Sequence, residues 1–230
     1  KTNAPVDPVK PNENGKPKGE PVKATLTPGM EAAKKAHDAG RYAEAVRLYT
    51  AELAAEKAKL TPSWGQLSYL NNQLGFALHG AGQYDHALVL FQKSLAIRLE
   101  QLGADHPHVA TSYNNIGVVL GNKAQYDKAL EYYQKALAIE LKTKEEDHID
   151  VATSYNNIGG VLSNKAQYEK ALEYYQKSLA IMLKNLEADH PNVATSYNNI
   201  GGVLSDKAQY DQALEYYQKS LAIMLKNLEA

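Results

Sequence analysis

The sequence lacks cysteine, and this absence excludes disulfide bonds, cysteine nucleophiles and thiolate metal sites. It also lacks an excess of charge of either sign. The formal net charge of the 230 residues is −1, so electrostatics give no reason to expect nucleic acid or an anionic membrane as a partner. No apolar run approaches the roughly 18–20 residues that a membrane-spanning helix requires. We therefore expect no nucleic acid partner and no membrane span.

Sequence motifs of catalysis are missing as well. There is no phosphate-binding G-x-x-x-x-G-K-[ST] loop, no H-E-x-x-H zinc motif and no G-x-S-x-G nucleophile elbow. His106 and His108 form an H-x-H pair, but no third metal ligand lies near them in firm register. We interpret this pair, together with His148 and His190, as helix-start or surface residues. The sequence therefore predicts no metal site, no cofactor and no enzyme activity.

Proline is concentrated at the amino end of the chain. Six of the nine prolines lie within residues 1–28, together with five lysines and no aromatic residue. A segment of this composition cannot bury enough apolar surface to offset the entropy of ordering it. We predict a disordered, semi-extended linker over residues 1–28; the alternative is that it serves as a proline-rich ligand for another domain.

The rest of the chain repeats one unit of 42 residues. A tyrosine opens the same short pattern in each unit, at Tyr42, Tyr84, Tyr126, Tyr168 and Tyr210. In the third unit, the residues Val109, Tyr113, Ile116 and Leu120 have the spacing of one helix face, and residues 122–125 interrupt it before a second helix begins. We predict helix hairpins stacked side by side over residues 29–230, with units at 29–61, 62–104, 105–146, 147–188 and 189–230.

A glycine recurs inside the first helix of four units, at Gly75, Gly117, Gly159 and Gly201. Glycine in a helix interior costs up to about 1 kcal/mol relative to alanine. Its repetition therefore predicts a close approach of the backbones of packed helices. At the start of the first helix, Pro107 and Pro191 suit a first turn, where the missing N–H is harmless.

The segment 113–137, which reads YNNIGVVLGNKAQYDKALEYYQKAL, resembles the tetratricopeptide repeat (TPR) family. The period of 42 residues and the strings LGADHPHVATSYNNIG (102–117) and LEADHPNVATSYNNIG (186–201) are similar to the repeats of kinesin light chains. The resemblance implies an all-α fold, a right-handed α-α superhelix (solenoid) of five TPR helix hairpins. The sequence departs from the family pattern where Ala124, Ala166 and Ala208 replace a turn glycine that the earlier repeats keep as Gly40 and Gly82.

A polar stripe lies opposite the core-facing side chains of each first helix. At about 100° per residue, positions 111, 115, 118 and 122 cluster almost opposite positions 109, 113, 116 and 120. In the family that this chain resembles, first helices line a concave groove, and the residue two before the glycine contacts bound peptides. The candidate peptide-binding residues are therefore Gln73, Thr111, Asn114, Asn115, Asn122, Thr153, Asn156, Asn157, Asn164, Thr195, Asn198 and Asn199.

An asparagine amide offers both a donor and an acceptor, so a row of them can pair with the backbone of an extended peptide. The alternative is that these asparagines only complete local hydrogen bonds. We predict a non-catalytic scaffold that binds a protein or peptide partner in the groove. Two other functions remain open: a self-assembly element that forms homo-oligomers end to end through apolar residues of the last helix, such as Ile223 and Leu225, or the sensor region of a larger signalling protein.

Overall fold

The computed structural model describes residues 24–228, and within this range all regular secondary structure is helical. The helices are α1 (Pro28–Asp38), α2 (Tyr42–Lys57), α3 (Trp64–Gly80), α4 (Tyr84–Leu102), α5 (Pro107–Asn122), α6 (Tyr126–Thr143), α7 (Ile149–Asn164), α8 (Tyr168–Asn185), α9 (Pro191–Asp206) and α10 (Tyr210–Leu228). Most of the predicted linker, residues 1–23, lies outside the described residues. Pro28, which the composition assigned to that linker, is the first residue of α1.

The chain divides into two compact units after Val119. In the first unit, α1 packs on α2, α2 on α3 and α3 on α4. In the second unit, α6 packs on α7, α7 on α8, α8 on α9 and α9 on α10, and α7 also contacts α9. Each odd-numbered helix is the first helix of a hairpin, and each even-numbered helix is the second. The predicted all-α class, built from helix hairpins, is confirmed.

Histidines begin three of the first helices. The Nδ1 atoms of His106, His148 and His190 each accept a hydrogen bond, 3.1 Å long, from the backbone N–H two residues later. This bond satisfies one of the N–H groups that a helix start leaves without an intrahelical partner. The interpretation of these histidines as helix-start residues is confirmed.

The turn between the two helices of a hairpin is the same in all five repeats. It contains one residue with a positive φ, which is 71° at Gly40 and 73° at Gly82, but 54°, 54° and 59° at Ala124, Ala166 and Ala208. The next backbone N–H then bonds to a carbonyl five residues earlier, as from Gln83 to Leu78 and from Gln167 to Leu162. This is a Schellman turn, which usually places glycine at the left-handed position. The alanines therefore adopt the turn that glycine makes in the earlier repeats.

The recurring glycine of the first helix makes room for an aromatic ring. A Cβ atom on Gly75 would lie 2.9 Å from the Phe91 ring, and a Cβ on Gly159 would lie 2.9 Å from the Tyr175 ring. Real Cβ atoms essentially never come this close to a neighbour. The prediction that these positions need glycine is supported; the nearest atoms at Gly75 and Gly159 belong to a ring and not to the predicted backbone, whereas at Gly201 the backbone carbonyl of Ala213 also lies close, at 3.3 Å. The closest group is in each case a side chain from the second helix of the same hairpin.

A buried serine joins the two helices of a hairpin. The hydroxyl of Ser178 in α8 donates to the carbonyl of Ala152 in α7 at 2.8 Å, and Ser220 in α10 donates to Ala194 in α9 at 2.9 Å. Both serines are buried. This bond fixes how far the second helix slides along the first, and so it fixes which residues of the first helix remain uncovered.

Candidate peptide-binding face

The polar stripe lies on the side of the first helices that the periodicity predicts. In α5, Ile116 is fully buried while Thr111 and Asn122 are exposed. The exposed candidates are Thr111, Asn122, Thr153, Asn164, Thr195 and Asn198, and the half-buried ones are Gln73, Asn114, Asn115, Asn156, Asn157 and Asn199. The sequence therefore predicted the direction of these side chains correctly. Their contact with a peptide remains a prediction.

The asparagines of neighbouring first helices bond to one another. In the first unit, Asn115 of α5 donates from Nδ2 to Oδ1 of Asn72 in α3, at 2.9 Å. In the second unit, Asn199 of α9 makes the same bond to Asn156 of α7, at 2.8 Å. The acceptor is the first asparagine of one repeat and the donor is the second asparagine of the next. The proposed local role of these amides is therefore real, and it uses one N–H and one oxygen of each pair.

Asn72 is part of this row, although it is not among the predicted residues. It is buried, and it stands 42 residues before Asn114 in the same pattern. The sequence contained that signal. Gln73 stands where the other repeats have their second asparagine, and this substitution drew attention away from its neighbour.

The hydroxyl groups of the stripe threonines donate hydrogen bonds to backbone carbonyls of their own helix. Thr111, Thr153 and Thr195 each donate a hydrogen bond to the carbonyl four residues earlier, at 3.2, 3.1 and 3.1 Å. A hydroxyl that donates in this way still has oxygen lone pairs that can accept. These residues can therefore receive a hydrogen bond from a ligand N–H without breaking a bond of the protein.

Charges pair between successive repeats rather than on the stripe. Near the turns of the second unit, Lys207 lies 3.2 Å from Glu169, and Lys165 pairs with Asp127. At the opposite end of the hairpins, the last turns of α8 and α10 pair Lys184 with Asp147 and Lys226 with Asp189. The candidate residues are all uncharged. On α5, α7 and α9 the equivalent positions of this stripe carry one charge, that of Asp206 at the end of α9, so most of the face has no electrostatic preference for an acidic or a basic peptide.

A buried arginine of α4 contacts the first turns of α5. Arg98 of α4 donates to the carbonyl of His108 at 3.0 Å and to the Ser112 hydroxyl at 2.8 Å. Burial lowers the pKa of Arg98 to about 10, so it remains charged at neutral pH. Burial, followed by the charge of Arg98, also lowers the pKa of His106. Sequence reasoning missed Arg98 because the equivalent positions of the later repeats share no residue type with it: they are Glu140, Met182 and Met224.

Between residues 24 and 228, no group of three or more histidine, aspartate or glutamate side chains is arranged to hold a metal ion. In the same range, no helix has the length and apolar character needed to cross a membrane.

The helix hairpins and their uncovered polar stripe define an α-helical repeat protein. A model of the tetratricopeptide repeat matches residues 65–142 and 150–226, which is more than half of the chain. The chain therefore belongs to the tetratricopeptide repeat family, and the resemblance inferred from its motifs is confirmed. No curated protein sequence matches it.

Solved structures show the same fold at low sequence identity. BtubC (BKLC) from P. vanneervenii has a TM-score of 0.73 at 20% identity, covering 86% of this chain and 79% of that one. A kinesin light chain-like protein of Podosopora anserina with nearly identical TPR-like repeats has a TM-score of 0.72 at 23% identity, covering 88% and 95%. The Rap conjugation gene regulator of plasmid pLS20, solved with the Phr* peptide, has a TM-score of 0.70 at 16% identity, covering 86% of this chain and 53% of that regulator.

Proposed function

We propose that the chain is a non-catalytic scaffold that holds an extended peptide of a partner protein along the polar stripe of its first helices. The observation that carries this proposal is the asparagine row. The half-buried amide of Asn157 stands beside the Asn156–Asn199 pair, in which each amide uses only one N–H or one oxygen lone pair. An amide can donate two hydrogen bonds and accept two. An amide that bonds to one neighbour keeps a second N–H and oxygen lone pairs, which an extended peptide backbone can use.

The peptide-bound Rap regulator supports the proposal at the level of the fold. That protein was solved with the Phr* peptide, and its repeats share the architecture of this chain. At 16% identity the likeness does not extend to the residues that contact a ligand. The proposal for this chain therefore depends on its own amides, and the partner is described only by chemistry: an uncharged, extended stretch of peptide.

The proposal can be tested with short random peptides displayed on phage and selected on the intact chain. The enriched peptide would then be synthesised and its affinity measured by calorimetry. We expect Asn157→Ala to lower the affinity roughly threefold to tenfold, because one or two hydrogen bonds are lost. Gln176→Ala is the matched control, since this exposed amide lies on the second helix α8. Failure to enrich any peptide, or equal affinity for Asn157→Ala and the parent chain, would refute the proposal.

Self-assembly is a second candidate function, and one surface favours it. The last helix, α10, exposes Leu214, Leu221, Met224 and Leu225. The prediction that Ile223 belongs to this surface is wrong: its side chain is only 9% exposed and packs in a core cluster with Met182 and Val193, among others. We expect that an association through α10 would be lost on Leu221→Glu. Light scattering over a range of concentrations tests this function, and a strict monomer at high concentration excludes it.

A further inference from the structure

Two glycines of the polar stripe have no explanation in the packing of the fold. Gly160 in α7 and Gly202 in α9 directly follow Gly159 and Gly201, whose absent side chains make room for tyrosine rings. A Cβ on Gly160 would meet only the Tyr175 hydroxyl, at 3.5 Å, which is an ordinary van der Waals distance. On Gly202 it would meet only the hydroxyl of Tyr217, at 3.8 Å; this tyrosine is 37% exposed, whereas Tyr175 is buried. The fold therefore has space for alanine at both positions, although glycine is unfavourable inside a helix.

The equivalent position of the third repeat carries a full side chain. Val118 stands 42 residues before Gly160 and 84 before Gly202, and it is exposed. A helix of this family can therefore carry a β-branched residue at this point of the stripe. Glycine at the two later positions keeps the helix surface bare, which is the condition for another backbone to approach it closely.

A buried hydroxyl without a partner points at the first of these bare positions. The Tyr175 side chain is only 6% exposed, and its hydroxyl makes no hydrogen bond with another residue of the second unit within 120–228. The hydroxyl is not fully enclosed, and it lies 3.5 Å from where a Cβ of Gly160 would stand on the stripe. Burial raises the pKa of Tyr175 to about 12, so the hydroxyl is protonated and able to donate at neutral pH. A hydroxyl that is largely enclosed and has a free proton can donate to an acceptor that reaches it past Gly160.

We propose that Gly160 with Tyr175, and Gly202 with Tyr217, form two hydroxyl-lined notches in the polar stripe, where the main chain of a bound extended peptide comes close to the helix and its carbonyl oxygen accepts a hydrogen bond from the tyrosine hydroxyl. This inference rests on the proposed function and names the part of the ligand that is recognised. A main-chain carbonyl is present in every peptide, so the notches recognise the backbone of the peptide and not its side chains.

The two notches also define a register for the peptide. Gly160 and Gly202 occupy the same place on α7 and α9, which contact each other. Packed helix axes lie about 8–10 Å apart. An extended chain advances about 3.3 Å per residue, so roughly three residues separate the two carbonyl groups that the notches bind.

The test uses the intact chain and the synthetic peptide selected from the displayed library. Gly160→Ala combined with Gly202→Ala is expected to raise the melting temperature, by roughly 2–4 °C per substitution, because alanine favours the helix. The same pair of changes is expected to lower the peptide affinity roughly threefold to tenfold, because the new methyl groups block the hydroxyls. A gain in stability joined to a loss of binding is the signature of a surface kept bare for a ligand. Unchanged affinity in this variant would overturn the inference.

Two further variants separate the hydroxyl from the general shape of the stripe. Tyr175→Phe removes only the hydroxyl, so the affinity should fall roughly threefold to tenfold without loss of stability. Gly121→Ala is the matched control, because a Cβ there meets nothing within 4 Å and the residue lies off the stripe. It should keep the parent affinity. Equal affinity of Tyr175→Phe and the parent chain would contradict the proposed hydrogen bond.

The peptide supplies a last check. If the hydroxyl meets a main-chain carbonyl, alanine substitutions along the peptide should leave the effect of Tyr175→Phe unchanged. Loss of that effect on substitution of one peptide residue would instead show recognition of a side chain and overturn the backbone assignment. Failure of this inference is distinguishable from failure of the proposed function: in the first case Asn157→Ala still weakens binding, and in the second it does not.

Discussion

Replacing the turn alanines with glycine should stabilise the protein. Ala166 has a φ of 54°, in the left-handed region where an L-residue other than glycine costs roughly 1–2 kcal/mol. Its side chain is exposed, so its removal sacrifices no packing. Glycine also makes the unfolded chain more flexible, and this entropy lowers the free energy of unfolding by roughly 0.4–1 kcal/mol. We therefore expect Ala166→Gly to raise the free energy of unfolding by about 0.5–1 kcal/mol.

The effect should add over the three later repeats. Ala124 and Ala208 have the same backbone conformation and are exposed as well. The three alanines stand 42 residues apart and their side chains are exposed, so their effects should add and the triple glycine variant should gain about 1.5–3 kcal/mol. For a chain of this length, each kcal/mol corresponds to a shift of roughly 2–4 °C in Tm. Urea and thermal unfolding followed by circular dichroism would measure it.

The reverse substitution provides the matched control. Gly82 has a φ of 73°, and a Cβ there would meet nothing within 4 Å, so Gly82→Ala changes only the conformational preference. It should cost about 1 kcal/mol. If Ala166→Gly were neutral or destabilising while Gly82→Ala cost the expected amount, the left-handed turn at Ala166 would not exist in solution. If both were neutral, the reasoning from backbone preference would fail for this array.

Two further predictions concern single sites. Acid should weaken the start of α5: because the folded-state pKa of His106 is lowered by burial and then by Arg98, its contribution is complete above about pH 6.5 and lost as the pH falls. Melting curves at about pH 7.5 and 5 test this, and His106→Asn, which keeps a cap that does not titrate, should reduce the difference. Gly159→Ala should cost about 1–3 kcal/mol, because the new Cβ would lie 2.9 Å from the Tyr175 ring. An unchanged urea midpoint would show that the ring moves aside at little cost.

The sequence predicted well which side of a helix a residue faces, but it predicted poorly which residues of other helices contact it. Helical periodicity places Ile116 inside and Thr111 outside, and both are found there. Periodicity says nothing about what lies opposite a residue on the next helix. For this reason the ring of Tyr175 against Gly159 and the acceptor Asn72 were not predicted.

The error at Ile223 has a different physical cause. Ile223 and Leu225 were assigned to one exposed surface because both are apolar. Residues two positions apart on a helix, such as Ile223 and Leu225, are rotated by about 200° around the helix axis, so they lie on nearly opposite faces. The structure exposes Leu225 and buries Ile223. Composition alone therefore misled where the angle between the residues would have decided correctly.

The paired asparagines can serve the fold and a ligand at the same time. Each bond between first helices, such as Asn199 to Asn156, uses one of two N–H groups of the donor and one oxygen lone pair of the acceptor. A serine or threonine in place of either residue has a single hydroxyl proton, and the hydrogen bond to the neighbouring side chain would use it. An amide that bonds sideways still has an N–H and an oxygen for the groove. Asparagine at both positions thus lets the side chains order one another and still both donate to and accept from a peptide backbone, whereas hydroxyls with their one proton already used could only accept.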